Sequence, residues 1–421
     1  MNQNKFTLYD HIGVGVLLYL ILSAVFPIIT LYGHNTILCL MFEMLWFALA
    51  SYERHSKFMG LFRKWIWWFV FLLYLFVVPV MFDNNIVTKR YTPYYIGIFG
   101  VIMYEYYTVN DKMHVIGRAI KISMPFYLFT LFKTIYAAML NPWVVRAMTT
   151  SSEFTKRETI LSGVGNYEFV YSGVMFFSVA AIYFFFSNRF YKRLIAGIMM
   201  MSIFVLSIVT NYTTAMLSCV VVAIVSLTCY IVHCFRTDEG VRILELFAFM
   251  TILFIAILFK DTILSVFSGF IQEGSRIGYI RDSGNSSFYH AIYEEFIADR
   301  WPTMKQNLDL LMEHFFFGHV SLGVGITGEL GQHSSILDTF SLWGIGVGII
   351  FLKMLGLPYK RYDIYKDNLL YRKQIYAALI MIAFFNNLTH GILLASTVIC
   401  PYFIYRLKDD NSNSHIIKNQ K

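Results

Sequence analysis

Apolar runs recur along this chain from end to end, each long enough to cross the roughly 30 Å hydrocarbon core of a bilayer. They predict about twelve transmembrane helices, near 12–31, 35–51, 66–82, 92–108, 119–139, 167–187, 193–210, 212–234, 243–267, 334–353, 373–389 and 391–406. The first run is too long for a signal-peptide core and lacks a small-residue cleavage site, so it reads as a retained span. The last two, joined tightly around His390, fit either two spans or one broken helix. Two polar stretches interrupt the pattern, 141–166 after the fifth span and 268–333 after the ninth. There is no internal repeat, low-complexity segment or linker, so residues 1–421 read as one integral membrane domain of all-α, polytopic class.

Composition agrees with that class. Hydrophobic residues make up 57% and charged residues only 14%, more apolar surface than a soluble chain of this length can hide. The formal net charge is +8, and topology accounts for it. With the N-terminus inside, the even-numbered connections carry Arg54, Lys57, Arg63, Lys64, Lys112, Arg118, Arg189, Lys192, Arg236, Lys360 and Arg361, while the odd-numbered ones are poor in cations for their length. That is the positive-inside bias; it places both termini in the cytoplasm and gives no reason to expect nucleic acid as a partner. Cys39, Cys219, Cys229, Cys234 and Cys400 fall in or beside spans without metal-ligand spacing, so no disulfide framework is expected.

Both long polar stretches leave odd-numbered spans and meet the same aqueous face. The first holds Arg146, Lys156 and Arg157; the second holds Arg276, Arg281, Arg300 and Lys305 among a larger number of carboxylates. Individually placed arginines, rather than a diffuse basic surface, are therefore the candidate anion ligands, since guanidinium groups grip diphosphates through paired planar hydrogen bonds. Downstream of Arg300, Pro302 suits a first turn, and Leu308, Leu311, Met312 and Phe315 recur at helical spacing with Lys305, Asp309 and Glu313 opposite. Such a helix either lies in the membrane interface or packs on other spans. Gly318, Gly323, Gly325, Gly328 and Gly331 read as a mobile connector.

His333 follows, and Ser335-Ile-Leu-Asp338 has capping-box form, so a helix should start there. Taken alone, His333 is either a solvated interfacial histidine or a neutral base beside an anion-favouring helix terminus. Asp338 reads as a cap, and Gly344, Gly346 and Gly348 as residues that let helices approach closely. Glu43 and Lys133 lie inside predicted spans, and a structural pair between them is the favoured reading. His390, with Asn386 and Asn387, sits near an outward turn where it can meet a sugar.

The run from Arg300-Trp-Pro-Thr-Met-Lys to Phe317-Gly318, followed by His333-Ser-Ser-Ile-Leu-Asp and Gly344-Ile-Gly346, resembles the signature of the bacterial O-antigen polymerase and O-antigen ligase superfamily. Arg157-Glu-Thr-Ile-Leu-Ser-Gly-Val-Gly165-Asn166 is similar to an arginine-to-Gly-x-Gly-Asn element of the same family. Ser334 departs from the asparagine common after the histidine. The resemblance implies a GT-C-like membrane glycosyltransferase acting on undecaprenyl-diphosphate-linked oligosaccharides, donor and acceptor, at the outer face of the bacterial plasma membrane. It makes Arg157 and Arg300 ligands of the leaving diphosphate and His333 the base. Arg276, Arg281, Asn166 and His390 become substrate contacts.

No cofactor or metal is required by that scheme, because arginines supply the positive charge. Membrane lipids, a flippase and a chain-length regulator are the expected partners. A ligase moving finished polymer onto lipid A core or protein is the close alternative. A lipid-linked oligosaccharide flippase or transporter is a more distant one, and a peptidoglycan-type polymerase leaning on Asp282 or Asp299 is a third.

Overall fold

The computed structural model describes residues 6–29, 36–81, 85–141, 144–145, 153–210, 212–237, 301–320 and 334–419. Among them every regular element is helical. The helices are α1 (Leu8–Val25), α2 (Thr36–Glu53), α3 (His55–Met81), α4 (Asn85–Val109), α5 (Met113–Leu140), α6 (Glu153–Leu161), α7 (Tyr167–Phe186), α8 (Phe190–Val209) and α9 (Thr213–Thr237). They continue with α10 (Trp301–Glu313), α11 (Ser335–Arg361), α12 (Asp363–Lys366), α13 (Leu369–Phe385), α14 (His390–Leu394) and α15 (Cys400–Asn419), the last two fused by a π-helical turn at Ala395–Ile399.

Among the described residues eight helices are long and apolar enough to cross a membrane, the architecture of a multi-pass membrane protein. Helices also occupy the remaining predicted spans, except the ninth at 243–267, which lies outside the described residues. The last two predicted spans are separate helices. Residues 386–389 break the chain between them, and the start of α13 and the middle of α15 both pack against α12.

α7 and the α14–α15 helix form the buried centre, while α3 and α8 show most of their apolar surface to the outside. Without water to satisfy peptide groups, regular helices are the economical solution, and departures from them need explicit partners. The π turn is one departure. Its widened register leaves carbonyls that accept from the side: Tyr362 Oη donates to Thr397 O at 3.0 Å and Tyr359 Oη to Ser396 O at 3.4 Å.

A second departure is a break inside α11. Gly344 has φ 79° and ψ 176°, so the helix is two segments meeting at a kink. The turn that follows α10 supplies the missing partners. Ile345 N donates to Phe315 O at 2.9 Å, and His319 N donates to Ser341 O at 3.1 Å. The two backbones touch at a pair of glycines. A Cβ on Gly344 would overlap the Phe316 carbonyl, and one on Gly318, at φ 68°, would overlap the Trp343 and Gly344 amides. Two expectations are corrected here. Gly318 is a fixed crossing point rather than part of a mobile connector. Gly344 serves a kink rather than helix approach, Gly346 faces open space, and Gly348 abuts Phe340 of its own helix.

One end of the bundle is held by charges. Lys112, between α4 and α5, reaches Asp10 at 2.8 Å and Glu53 at 2.5 Å, tying the start of α1 to the end of α2. Burial pulls the Lys112 ammonium down, but hydrogen bonds to the two carboxylates outweigh it and leave its pKa above the ordinary lysine value. Lys64 pairs with Glu105, whose second oxygen accepts from Trp65 Nε1 at 2.7 Å. Lys192 pairs with Asp410, and Lys408 with Asp367 at 2.5 Å.

The expected pair between Glu43 and Lys133 does not form. Glu43 is fully buried, and neither carboxyl oxygen has a hydrogen-bond partner among the described residues. Lys133 instead lies along Gly163. The two side chains belong to helices that share no substantial contact.

Because a left-handed φ and a backbone overlap coincide, Gly344→Ala and Gly318→Ala should each destabilise the fold by about 1–3 kcal/mol. Gly346→Ala should be near neutral. Melting temperatures of the purified variants in detergent check this, and three equal values would contradict the crossing.

Candidate functional site

Several helix N-termini meet at the end of the bundle opposite the charged clamps. α7 begins there because Asn166 caps it, its Oδ1 accepting from Phe169 N at 3.1 Å. The stretch before it is built for close approach. Gly163, at φ 84°, follows the last turn of α6 and packs on Phe129 of α5, and Gly165 N donates to Thr134 Oγ1 at 2.7 Å. The Gly-x-Gly-Asn element is thus helix stop, contact and helix start in four residues.

Glu168, in the first turn of α7, reaches across to the start of α14. Its Oε1 accepts from Gly391 N at 2.6 Å and lies 2.9 Å from His390 Nδ1. His390 Nε2 lies 3.3 Å from Ser23 Oγ on α1. A side chain on Gly391 would strike Glu168 Oε1 and Ala24 Cβ, so only glycine lets the three helices close. The order serine–histidine–carboxylate is that of a hydrolytic triad, but the chemistry differs. The Ser23 hydroxyl donates to Leu20 O at 2.9 Å, leaving its oxygen to accept. Ser23 is fully buried, and the histidine ties α1, α7 and α14 together.

A second cluster surrounds the start of α11. Ser334, the residue after His333, is the N-cap, its Oγ accepting from Leu337 N at 3.0 Å; the predicted cap falls one residue later, at Ser335. Ser335 is given to the α13–α14 corner instead, its amide donating to Asn386 O at 3.1 Å and its Oγ accepting from Leu388 N at 2.8 Å. Asn386 Nδ2 donates to Thr214 Oγ1 at 3.4 Å, and Thr214 meets the Tyr171 hydroxyl. The chain of contacts thus runs from α11 through the corner to α9 and α7.

Asp338, expected as a cap, accepts instead from Asn307 Nδ2 at 3.1 Å, and Ser341 Oγ donates to Asn307 Oδ1 at 3.3 Å. These bonds dock α10. The helix turns its polar Asn307 inward and leaves Leu308, Met312, Phe315 and Phe316 exposed. It ends at Glu313, so Phe315 belongs to the following turn.

His333, Arg300, Arg276 and Arg281 lie outside the described residues. Of their sequence neighbours, Ser334 is buried in the α11 cluster and Trp301 is exposed at the head of α10. Asn166 lies two positions before Glu168, which contacts His390. Arg157 is exposed on α6, a helix over a stretch expected to be loop, where Glu153, Lys156, Arg157 and Glu158 are good helix formers. Glu168 was not singled out from the sequence. Its only sequence signal is a carboxylate just inside a predicted span, the same signal that drew notice to Glu43. Among the described residues no three His, Cys, Asp or Glu side chains gather closely enough to hold a metal ion. Comparison with known protein families and with curated proteins finds no match.

Removing one partner of the buried Glu168–His390 pair should be costly, about 3–5 kcal/mol. Glu168→Ala should lower the melting temperature well below that of Glu168→Gln, which keeps an acceptor for Gly391 N. Identical melting curves for the two variants would show that the pair contributes nothing.

Proposed function

We propose that this protein is a polysaccharide polymerase that joins undecaprenyl-diphosphate-linked oligosaccharide repeat units into an O-antigen, capsule or exopolysaccharide chain. The reaction is an inverting glycosyl transfer at the outer face of the bacterial plasma membrane. The observation that supports this reading is the meeting of Asn166, Ser334 and the Asn386–His390 corner at one end of the bundle. The described flanks of the two polar stretches, Asn141, Asn166 and Ser334, lie at that end. The positive-inside bias assigns it to the exterior.

In this proposal His333 accepts the proton of an acceptor hydroxyl while that oxygen attacks the donor's anomeric carbon. The bond from that carbon to the diphosphate oxygen breaks, and the electron pair leaves with undecaprenyl diphosphate. Arg157 and Arg300 stabilise the charge that develops there. Helix N-termini at α7, α9, α11 and α14 add their partial positive charge to the same region. Arg276, Arg281, Asn166 and His390 contact donor or acceptor sugar. The exposed apolar side of α10 fits a helix lying in the interface beside a lipid-linked substrate. A ligase would use the same site with a different acceptor. The partnerless carboxyl of Glu43 is the observation that favours the transport reading.

Arg157→Ala, Arg300→Ala and His333→Ala should each leave the protein in the membrane and reduce polymer to single repeat units. Glycan ladders on gels from complemented deletion strains read this out. Wild-type ladders from all three variants would refute the site, finished polymer stranded on carrier lipid would favour the ligase, and repeat units trapped on the cytoplasmic face would favour transport.

A further inference from the structure

A groove runs along the outside of the bundle between α5 and α8, with α7 and α15 as its floor. Its inner part is a cavity of about 350 Å³ lined almost wholly by apolar side chains, including Met124, Tyr127, Ala180 and Ala196. A second cavity of about 590 Å³ shares Ile120, Met124, Leu128, Tyr183, Lys192 and Phe403 with the first, so the two adjoin along the groove. It begins at the end of the bundle that carries the charged clamps, near Lys192 and Asp410, and extends to the level of Tyr127. On α5 the lining runs from Gly117 to Leu128, eleven positions or roughly 16 Å at the helical rise.

Charge is confined to the mouth. Lys121, Lys192, Arg406 and Asp410 line it. Lys192 and Asp410 neutralise each other, and Arg406 keeps only a half-exposed contact of 3.5 Å with Asp409. Lys121 has no carboxylate partner among the described residues. The mouth is therefore net positive after internal pairing. The rims of the groove, Phe126 and Phe129 on α5 and Ile195 and Ile198 on α8, are exposed apolar side chains that suit a hydrocarbon surround.

We propose that this groove binds an anionic glycerophospholipid, one acyl chain lying in the apolar channel and the phosphate headgroup between Lys121, Lys192 and Arg406. The argument is complementarity of shape and charge. A channel of that length with an almost wholly apolar lining suits a stretch of acyl chain rather than a sugar, and a cationic mouth distinguishes an anionic headgroup from a zwitterionic one. Lysine at position 121 can extend its stem along the groove and place its ammonium at headgroup level. The mouth lies at the other end of the bundle from the Glu168–His390 cluster, while the inner end, lined by Ile21 and Val25, reaches the level of Ser23; the existence of the site does not depend on the polymerase reading.

The test is native mass spectrometry of the purified full-length protein in mixed micelles with dioleoyl-phosphatidylglycerol or dioleoyl-phosphatidylcholine. The wild type should retain the anionic lipid preferentially. Lys121→Gln with Arg406→Gln should cut that preference on the order of tenfold or more, two surface cations each being worth about 1 kcal/mol. Both residues are peripheral, so the double variant should fold, and an unchanged melting temperature verifies it. Ala196→Phe, which fills the channel, should abolish retention of either lipid. Equal retention of the two lipids by the wild type would overturn the proposal. So would a double variant that keeps its preference, or displacement of the lipid by millimolar inorganic phosphate alone.

Discussion

In hydrocarbon a peptide group with no partner is expensive, and the structure around α11 follows from meeting that requirement at one break. The kink at Gly344 releases Ser341 O and Ile345 N from their helix, and the turn at 314–319 takes both. That turn can come close enough only because the crossing is made of glycine on both sides. Two backbone hydrogen bonds thereby fix the height of α10, the direction of the first half of α11, and the position of Ser334. Val320 and Ser334, the described residues nearest His333 on either side, belong to elements whose placement descends from this crossing.

The two ends of the bundle are stabilised by different chemistry. At one, lysines bridge carboxylates on neighbouring helices, as at Lys112 with Asp10 and Glu53. At the other, serine, threonine, asparagine and tyrosine side chains link helix starts, together with the buried Glu168–His390 pair. A directional network of short side chains holds helix ends at fixed spacing. Flexible lysine contacts tolerate small displacements of the same helices. An end that positions a substrate needs the former, and the difference in material fits the division of labour proposed above.

Much of this fold was legible in the chain. Apolar run length located the described helices, while the joint at His390, legible as two spans or one broken helix, proved to separate two helices. The helical spacing after Pro302 gave α10 with an exposed apolar stripe. Other features left no periodic trace. The short helix carrying Arg157 is polar and lies in a stretch that hydropathy reads only as non-membrane. The kink at Gly344 depends on a partner segment that no spacing rule connects to it. Three glycines in alternate positions look alike on paper, yet one makes a backbone crossing, one abuts its own helix and one faces open space. Charge inside a predicted span was a good flag for Glu43 and still gave the wrong partner, because the helices of Glu43 and Lys133 do not adjoin. For the candidate site, the sequence supplied the residues while the structure supplied Glu168, the side chain that joins Asn166's helix to His390.

These contacts also differ in when they can be made as the chain leaves the ribosome. The turn at 314–319 is synthesised before α11, so the peptide groups freed at Gly344 find their acceptor and donor already waiting. Glu168 must wait for Gly391, 223 positions later. Until the last helix pair is inserted, a carboxylate near the membrane boundary lacks the amide and imidazole that hold it. Closure of that end is therefore among the final events of biogenesis, and a chain truncated before α14 stops with its architecture largely built and this lock still open.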